Sequence, residues 1–165
     1  MTAPPGDYSV RAYIGTNVRP SKDPAFAYVT TFYPGVPSRD GAQVLHLASG
    51  TDQYDVEFAL LSGRTLHVSG TPPLAGFDVV LFPQDEARWY FASPLIRQTR
   101  SHQNGQFELA LVPPGDYLAV ATEGVPFLML GDPAATLRRL QSIATRVTVR
   151  DGEQKTISIR ASPAP

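Results

Sequence analysis

From Asn104 to Ala121 the chain runs Asn-Gly, an alternating segment, Pro113-Pro114-Gly115-Asp116, and then a second apolar segment. Few folds accommodate that order. Phe107, Leu109 and Leu111 alternate with Gln106, Glu108 and Ala110, the period of two that gives a strand one apolar face. The two prolines carry no N–H and cannot extend a ladder, while Gly115 permits a reversal. Asn104-Gly105 is a second turn signal, suited to positive φ. The stretch predicts two short strands joined by a rigid turn.

The rest of the chain is punctuated in the same way. Its 16 prolines and 13 glycines are spread along 165 residues, which favours many short strands over long helices. Hydrophobic residues at 42% and charged residues at 18% suit a packed core rather than disorder. A net charge of −1 with scattered arginines leaves no electrostatic footprint for nucleic acid. With no cysteine, neither a disulfide framework nor a thiolate metal site can form. No apolar run is long enough to span a bilayer, and Met1-Thr2-Ala3-Pro4-Pro5 lacks the features of a signal peptide.

An internal repeat organises these strands. Pro4-Pro5-Gly6-Asp7-Tyr8-Ser9-Val10-Arg11-Ala12 nearly duplicates Pro113-Pro114-Gly115-Asp116-Tyr117-Leu118-Ala119-Val120-Ala121, and Gly15 matches Gly124. Residues 43–60 likewise parallel residues 145–161, each a strand, a glycine-containing turn and a second alternating strand, with a one-residue slip at the turn. A period of roughly a hundred residues suits a small sandwich domain better than a solenoid unit. The expected organisation is therefore all-β: antiparallel prealbumin-like or Ig-like sandwich modules in tandem with one short helix. Residues 1–60 would form the C-terminal half of a first module and residues 61–165 a complete second one. A half-module would expose unpaired strand edges, a route to edge-mediated dimers or to pairing with neighbouring domains.

Within the complete module, residues 63–70 read as a strand with Leu66 and Val68 facing in, and residues 71–76 as a turn. Residues 77–82 are apolar on both parities, as a strand covered on both faces would be, and Pro83 ends them. Residues 94–100 read as a further strand. The one helix is expected after Asp132, an N-cap type, with Pro133 at the first helical position and Leu137, Leu140 and Ala144 on one face. It would pack across an open end of the sandwich. The last hairpin would join residues 146–150 to 155–160 through Asp151-Gly152-Glu153, with a frayed tail behind it. In the first copy, residues 15–42 read as a covering loop carrying Phe26, Tyr28, Phe32 and Tyr33 and turning at Tyr33-Pro34-Gly35.

Asn104-Gly105-Gln106-Phe107 followed by Val112-Pro113-Pro114-Gly115-Asp116-Tyr117 resembles the DGxF…PPGxY signature of carboxypeptidase regulatory-like domains. These belong to the prealbumin-like (transthyretin-like) seven-stranded sandwiches. More narrowly, Tyr33-Pro34-Gly35, Arg88-Trp89-Tyr90-Phe91 and Asp132-Pro133 resemble large multi-module proteins of soil bacteria such as Acidobacteria. The resemblance implies a non-catalytic module of a larger exported or cell-envelope protein. Related modules also accompany zinc carboxypeptidases, so an accessory domain of a neighbouring hydrolase or peptidase is a further implied role.

Catalytic patterns are sparse. His46, His67 and His102 form no i, i+4 pair and no HxxE arrangement, so a zinc peptidase centre is not expected, nor is any cofactor. There is no GxSxG, and Asp85-Glu86 has no partnering base nearby in sequence. Asp52 and Asp151-Gly152-Glu153 are too few for a calcium loop. Lys22 and Lys155 are the only lysines available for an isopeptide cross-link, and neither sits in a strand interior. The remaining candidate is Arg88-Trp89-Tyr90-Phe91. Exposed, these aromatics would make a stacking platform for carbohydrate; buried, they would anchor a loop into the core. Exposure of Trp89 separates the two readings.

Overall fold

The structure, a computed structural model of the 165-residue chain, describes residues 3–13, 26–50, 52–71, 76–125, 132–151 and 155–159. Lys22, the residues 72–75 of the expected turn, residues 152–153 and the tail from 160 to 165 lie outside them. The chain divides into two compact units, Met1–Gly63 and Arg64–Pro165.

The first unit holds short strands in two-stranded pairs. Strand β1 (Gly6–Ser9) pairs antiparallel with β5 (Val44–Leu47), and β2 (Arg11–Ala12) with β4 (Thr31–Phe32). Strand β3 (Phe26–Tyr28) pairs with β6 (Ser62–Arg64). Where a covering loop is expected, the described part of residues 15–42 therefore forms two strands, because its aromatic and β-branched residues alternate in short runs. Phe32 is buried and Tyr33 meets Phe58 edge-on, with ring centroids 5.9 Å apart. Residues 52–60, expected as an alternating strand, belong to no ladder.

The second unit is a two-sheet sandwich. Strands β7 (Leu66–Thr71), β8 (Asp78–Pro83), β9 (Arg97–Arg100), β10 (Phe107–Val112), β11 (Gly115–Thr122), β12 (Thr145–Val149) and β13 (Lys155–Ser158) form one sheet ordered β10-β7-β13 and another ordered β12-β11-β8-β9. Every pair is antiparallel except β13 with β7, which is parallel. The last two strands are therefore not a hairpin. They cross between the sheets, because Val147 and Val149 from one side and Ile157 and Ile159 from the other all turn into the same interior. Leu66, Val68, Val79, Leu81, Phe107 and Leu109 complete that core.

Strand β8 is apolar on both parities for a visible reason. Val79 and Leu81 face the partner sheet, while Val80 and Phe82 face outward into a second core with Leu118 and Val120. Helix α1 (Ala134–Gln141) closes this outer face with Leu137 and Leu140. It lies over the four-stranded sheet rather than across an open end, since the outward apolar stripe of β8 and β11 requires cover. Its start follows the sequence closely: Asp132 Oδ1 accepts the Ala134 N–H at 3.0 Å, and the Leu137 N–H bonds Pro133 O at 2.9 Å.

The β1–β5 pair of the first unit duplicates the β11–β12 pair of the second. Gly6 faces Leu47 as Gly115 faces Val149, and Asp7 faces His46 as Asp116 faces Thr148. Both aspartates reach across to that partner's side chain, Asp7 to His46 Nδ1 and Asp116 to Thr148 Oγ1.

Candidate functional site

The segment after β8 shows where the aromatic candidates go. Pro83 ends the strand, and Asp85 nucleates a single 3-10 turn over Glu86–Arg88 by accepting the Ala87 N–H at 3.0 Å. That turn drops Trp89 back onto the sheet. Its indole is 3% exposed, stands edge-on to Phe82 with centroids 5.5 Å apart, and donates Nε1–H to Pro83 O at 2.7 Å. Leu137 and Leu140 of α1 pack into the same cluster. The face a sugar would stack on is thus occupied by protein at Trp89. Burial satisfies its one polar group and removes a large apolar surface from water, which exposure would forgo.

The other candidates separate from it. Phe91 is 60% exposed, Tyr90 is half-buried, and Arg88 is exposed with its Nε 3.2 Å from Asp85 Oδ2. Arg138 of α1 ties the helix to this loop through Glu86 at 3.3 Å. Ala92 takes a positive φ of 52° immediately after Phe91, so the chain reverses there. Phe91 and the Asp85-paired Arg88 lie at the surface and Tyr90 is half-buried, without the indole.

A second polar cluster lies between the sheets, and sequence reasoning missed it. Register places Arg97 opposite Leu81 and Thr99 opposite Val79, both core residues, so Arg97 projects into the interior from the edge strand β9. Its Nη2 donates to Leu111 O at 2.9 Å. Leu111 sits at φ 58°, in the irregularity where β10 shifts register between Leu109 and Val112. Burial pulls the Arg97 pKa down, and Tyr117 partly offsets this. Tyr117 donates its hydroxyl to Pro113 O at 2.9 Å, and burial pushes it up to about 12 against the opposing pull of Arg97 and Arg88. The signal that could have found Arg97 is its parity: it falls on the inward phase of residues 94–100, where an apolar residue belongs.

Among the described residues the histidines do not converge. His46 sits on β5 against Asp7, and His102 is exposed in the turn before β10. Lys155 is half-buried at the head of β13, and Asp151 pairs with Arg64 at 3.4 Å. Among the described residues no group of three or more His, Cys, Asp or Glu side chains could hold a metal ion. No helix among them is long and apolar enough to cross a membrane.

The fold defines an all-β sandwich of the prealbumin-like or Ig-like class. No known family's sequence model matches the chain, and no curated protein matches it. Among solved structures, the major pilin subunit BcpA*(D312A) of Bacillus cereus is similar with 14% identity and a TM-score of 0.36, covering 62% of this chain and 33% of that one. A Streptococcal ancillary pilin is similar with 16% identity and a TM-score of 0.37, covering 98% of this chain and 46% of that one. The chain thus spans less than half the length of either. Likeness at that level assigns neither a family nor an activity.

Proposed function

We propose that the chain is a non-catalytic structural and interaction part of a larger exported or cell-envelope protein, built of sandwich modules of the carboxypeptidase regulatory-like type. One observation carries this reading. Three interior polar groups, Trp89 Nε1, Tyr117 Oη and Arg97 Nη2, are engaged with backbone carbonyls at 2.7 Å, 2.9 Å and 2.9 Å, while Arg97 Nε and Thr122 Oγ1 are buried without a hydrogen-bond partner among the described residues. The three engaged groups fix a loop, a turn and a bulge. Burial moreover holds Tyr117 at about 12, where the phenol keeps its proton at neutral pH and cannot serve as a base.

The test is a panel of ester, peptide and glycoside substrates together with thermal unfolding in the presence of oligosaccharides. The expected result is no turnover and no shift in Tm. Turnover that Tyr117→Phe abolishes, or a glycan-induced rise in Tm, would overturn the reading.

Carbohydrate binding stands as a second reading on the exposure of Phe91 beside Arg88 and Tyr90. It requires a stabilising sugar whose effect Phe91→Ala removes and Trp89→Phe leaves in place.

A further inference from the structure

The chain has two asparagines, Asn17 before Val18 and Asn104 before Gly105. The second stands in the turn between β9 and β10, exposed, and Gly105 follows it at φ 77°. Asparagine is a chemically labile residue, and its lability is greatest where the next residue has no side chain to shield its main-chain nitrogen. Gly105 leaves that nitrogen unshielded; Val18 does not.

Ser101 anchors the base of the turn, its N–H donating to Phe77 O at 2.9 Å and its Oγ accepting the Phe77 N–H at 3.0 Å. Two main-chain bonds close it: His102 N–H to Gln106 O at 2.8 Å, and Gly105 N–H to His102 O at 2.9 Å. The Asn104 side chain adds two more. Its Oδ1 accepts the Gln106 N–H at 2.9 Å, an Asx-type contact two residues on, and its Nδ2 donates to Gln106 Oε1 at 2.8 Å. The amide thus spans Gly105 to reach Gln106. With its base anchored and few bonds at its tip, the turn opens without the strands on either side.

We propose that Asn104-Gly105 is a self-modification site, a slow deamidation paced by the opening of this turn, with water as its only co-reactant. Once the bond from Gly105 N–H to His102 O breaks, the Gly105 nitrogen gives up its proton and attacks Asn104 Cγ. The Cγ–Nδ2 bond then breaks, and Nδ2 leaves as ammonia, taking up a proton that balances the one Gly105 lost. A cyclic imide joins the two residues, and water opens it. Opening at Cγ restores the main chain with an aspartate at 104. Opening at the main-chain carbonyl instead routes the chain through Cγ and lengthens it by a methylene. Nothing is oxidised or reduced in either branch.

The two products act differently on the fold. An aspartate at 104 still accepts the Gln106 N–H, and Gln106 need only rotate its own amide to donate where it accepted. The lengthened product shifts Gly105 and Gln106 along the chain, so the two main-chain bonds to His102 no longer fit together. Phe107 comes next, 2% exposed and opposite Gly70 at the head of β10. That product therefore loosens the entry of β10 into the smaller sheet. The modification turns the age of the chain into a local change, and it holds whether or not the module is catalytic.

The test incubates the full chain beside a synthetic peptide of residues 101–107 at mildly alkaline pH and separates aspartate from isoaspartate in protease fragments. The expected result in the folded chain is conversion at Asn104 with Asn17 intact. It should run slower than in the peptide by about tenfold, since the closing bonds must break first. Gln106→Ala removes the Nδ2 contact and keeps the main-chain bonds, so it should raise the rate in the chain by roughly threefold or more without moving Tm. In the aged chain, the isoaspartate fraction should show faster hydrogen exchange at Phe107–Leu109, while Asn104→Asp should exchange there like the native chain. Asn104 intact in the folded chain long after the peptide has fully converted overturns the site. Conversion at the peptide's own rate, or a rate that Gln106→Ala leaves unchanged, overturns the control by the turn. Neither result bears on the non-catalytic reading, which falls only on turnover.

Discussion

The hydroxyl of Tyr117 donates to the carbonyl of Pro113, four residues back, across the turn that joins β10 to β11. Tyr8 does the same to Pro4 at 2.6 Å in the first unit. The two bonds differ in setting, because Tyr117 is 2% exposed within the core and the Tyr8 bond lies at the surface. Tyr117→Phe leaves the ring in place and removes one partly buried hydrogen bond, so it should cost about 1–2 kcal/mol. Tyr8→Phe should cost under about 0.5 kcal/mol, as water replaces its bond. Urea midpoints of the two variants check the difference.

Tyr117 also gives the fold an alkaline limit. Burial raises its folded pKa from 10.0 to about 12, so its contribution is whole below the ordinary phenol value and is lost as pH climbs through about 12. The rise corresponds to roughly 2–3 kcal/mol between the two limits. Unfolding free energies measured from neutral pH to about pH 12 should fall more steeply for the native chain than for Tyr117→Phe. Equal slopes would mean that the phenol titrates alike in both states.

Much of this architecture is legible in the sequence because it is local. The alternation of Phe107 and Leu109 places β10, although the irregularity at Leu111 hands the next core position to Val112; the prolines stop the strand, and Asp132-Pro133 starts the helix to within a residue. The apolar run at 77–82 carries its own explanation, since β8 is covered on both faces. What local pattern does not encode is the identity of the neighbour. Residues 145–149 and 155–158 read as strands, yet nothing in their alternation says that they lie in opposite sheets. Residues 55–60 alternate as well, yet they join no ladder among the described residues. Trp89 stands open to both readings in sequence; the Pro83 carbonyl and the helix above it decide for burial. Arg97 escaped notice because a charged residue in an edge strand normally points to water.

Trp89 should therefore behave as a core residue. Trp89→Ala removes a large buried ring, leaves the Pro83 carbonyl without its donor, and should cost about 3–5 kcal/mol. Trp89→Phe keeps most of the packing against Phe82 and should cost less. The native fluorescence should be blue-shifted, resistant to quencher and indifferent to oligosaccharides. A red-shifted, quenchable emission would contradict the burial directly, since this is the only tryptophan in the chain.

The parallel pair that closes the smaller sheet depends on one residue without a side chain. Gly70 lies opposite Ile157, and a Cβ there would run into the Ile157 carbonyl oxygen and come within 2.8 Å of the Phe107 ring. The obstacle is backbone as well as ring, so rotamer changes alone cannot relieve it. Gly70→Ala should force β13 away from β7 and cost about 3 kcal/mol or more, at the upper end of overpacking effects. Hydrogen exchange should localise the damage, with faster exchange along Lys155–Ser158 and Leu66–Thr71 while the β11–β8 pair stays protected. Gly50→Ala is the contrasting case: nothing crowds its Cβ position, and only the φ of 72° opposes it, at roughly 1–2 kcal/mol. If the two variants lose stability equally, the close approach of β13 to β7 is not what fixes glycine at position 70.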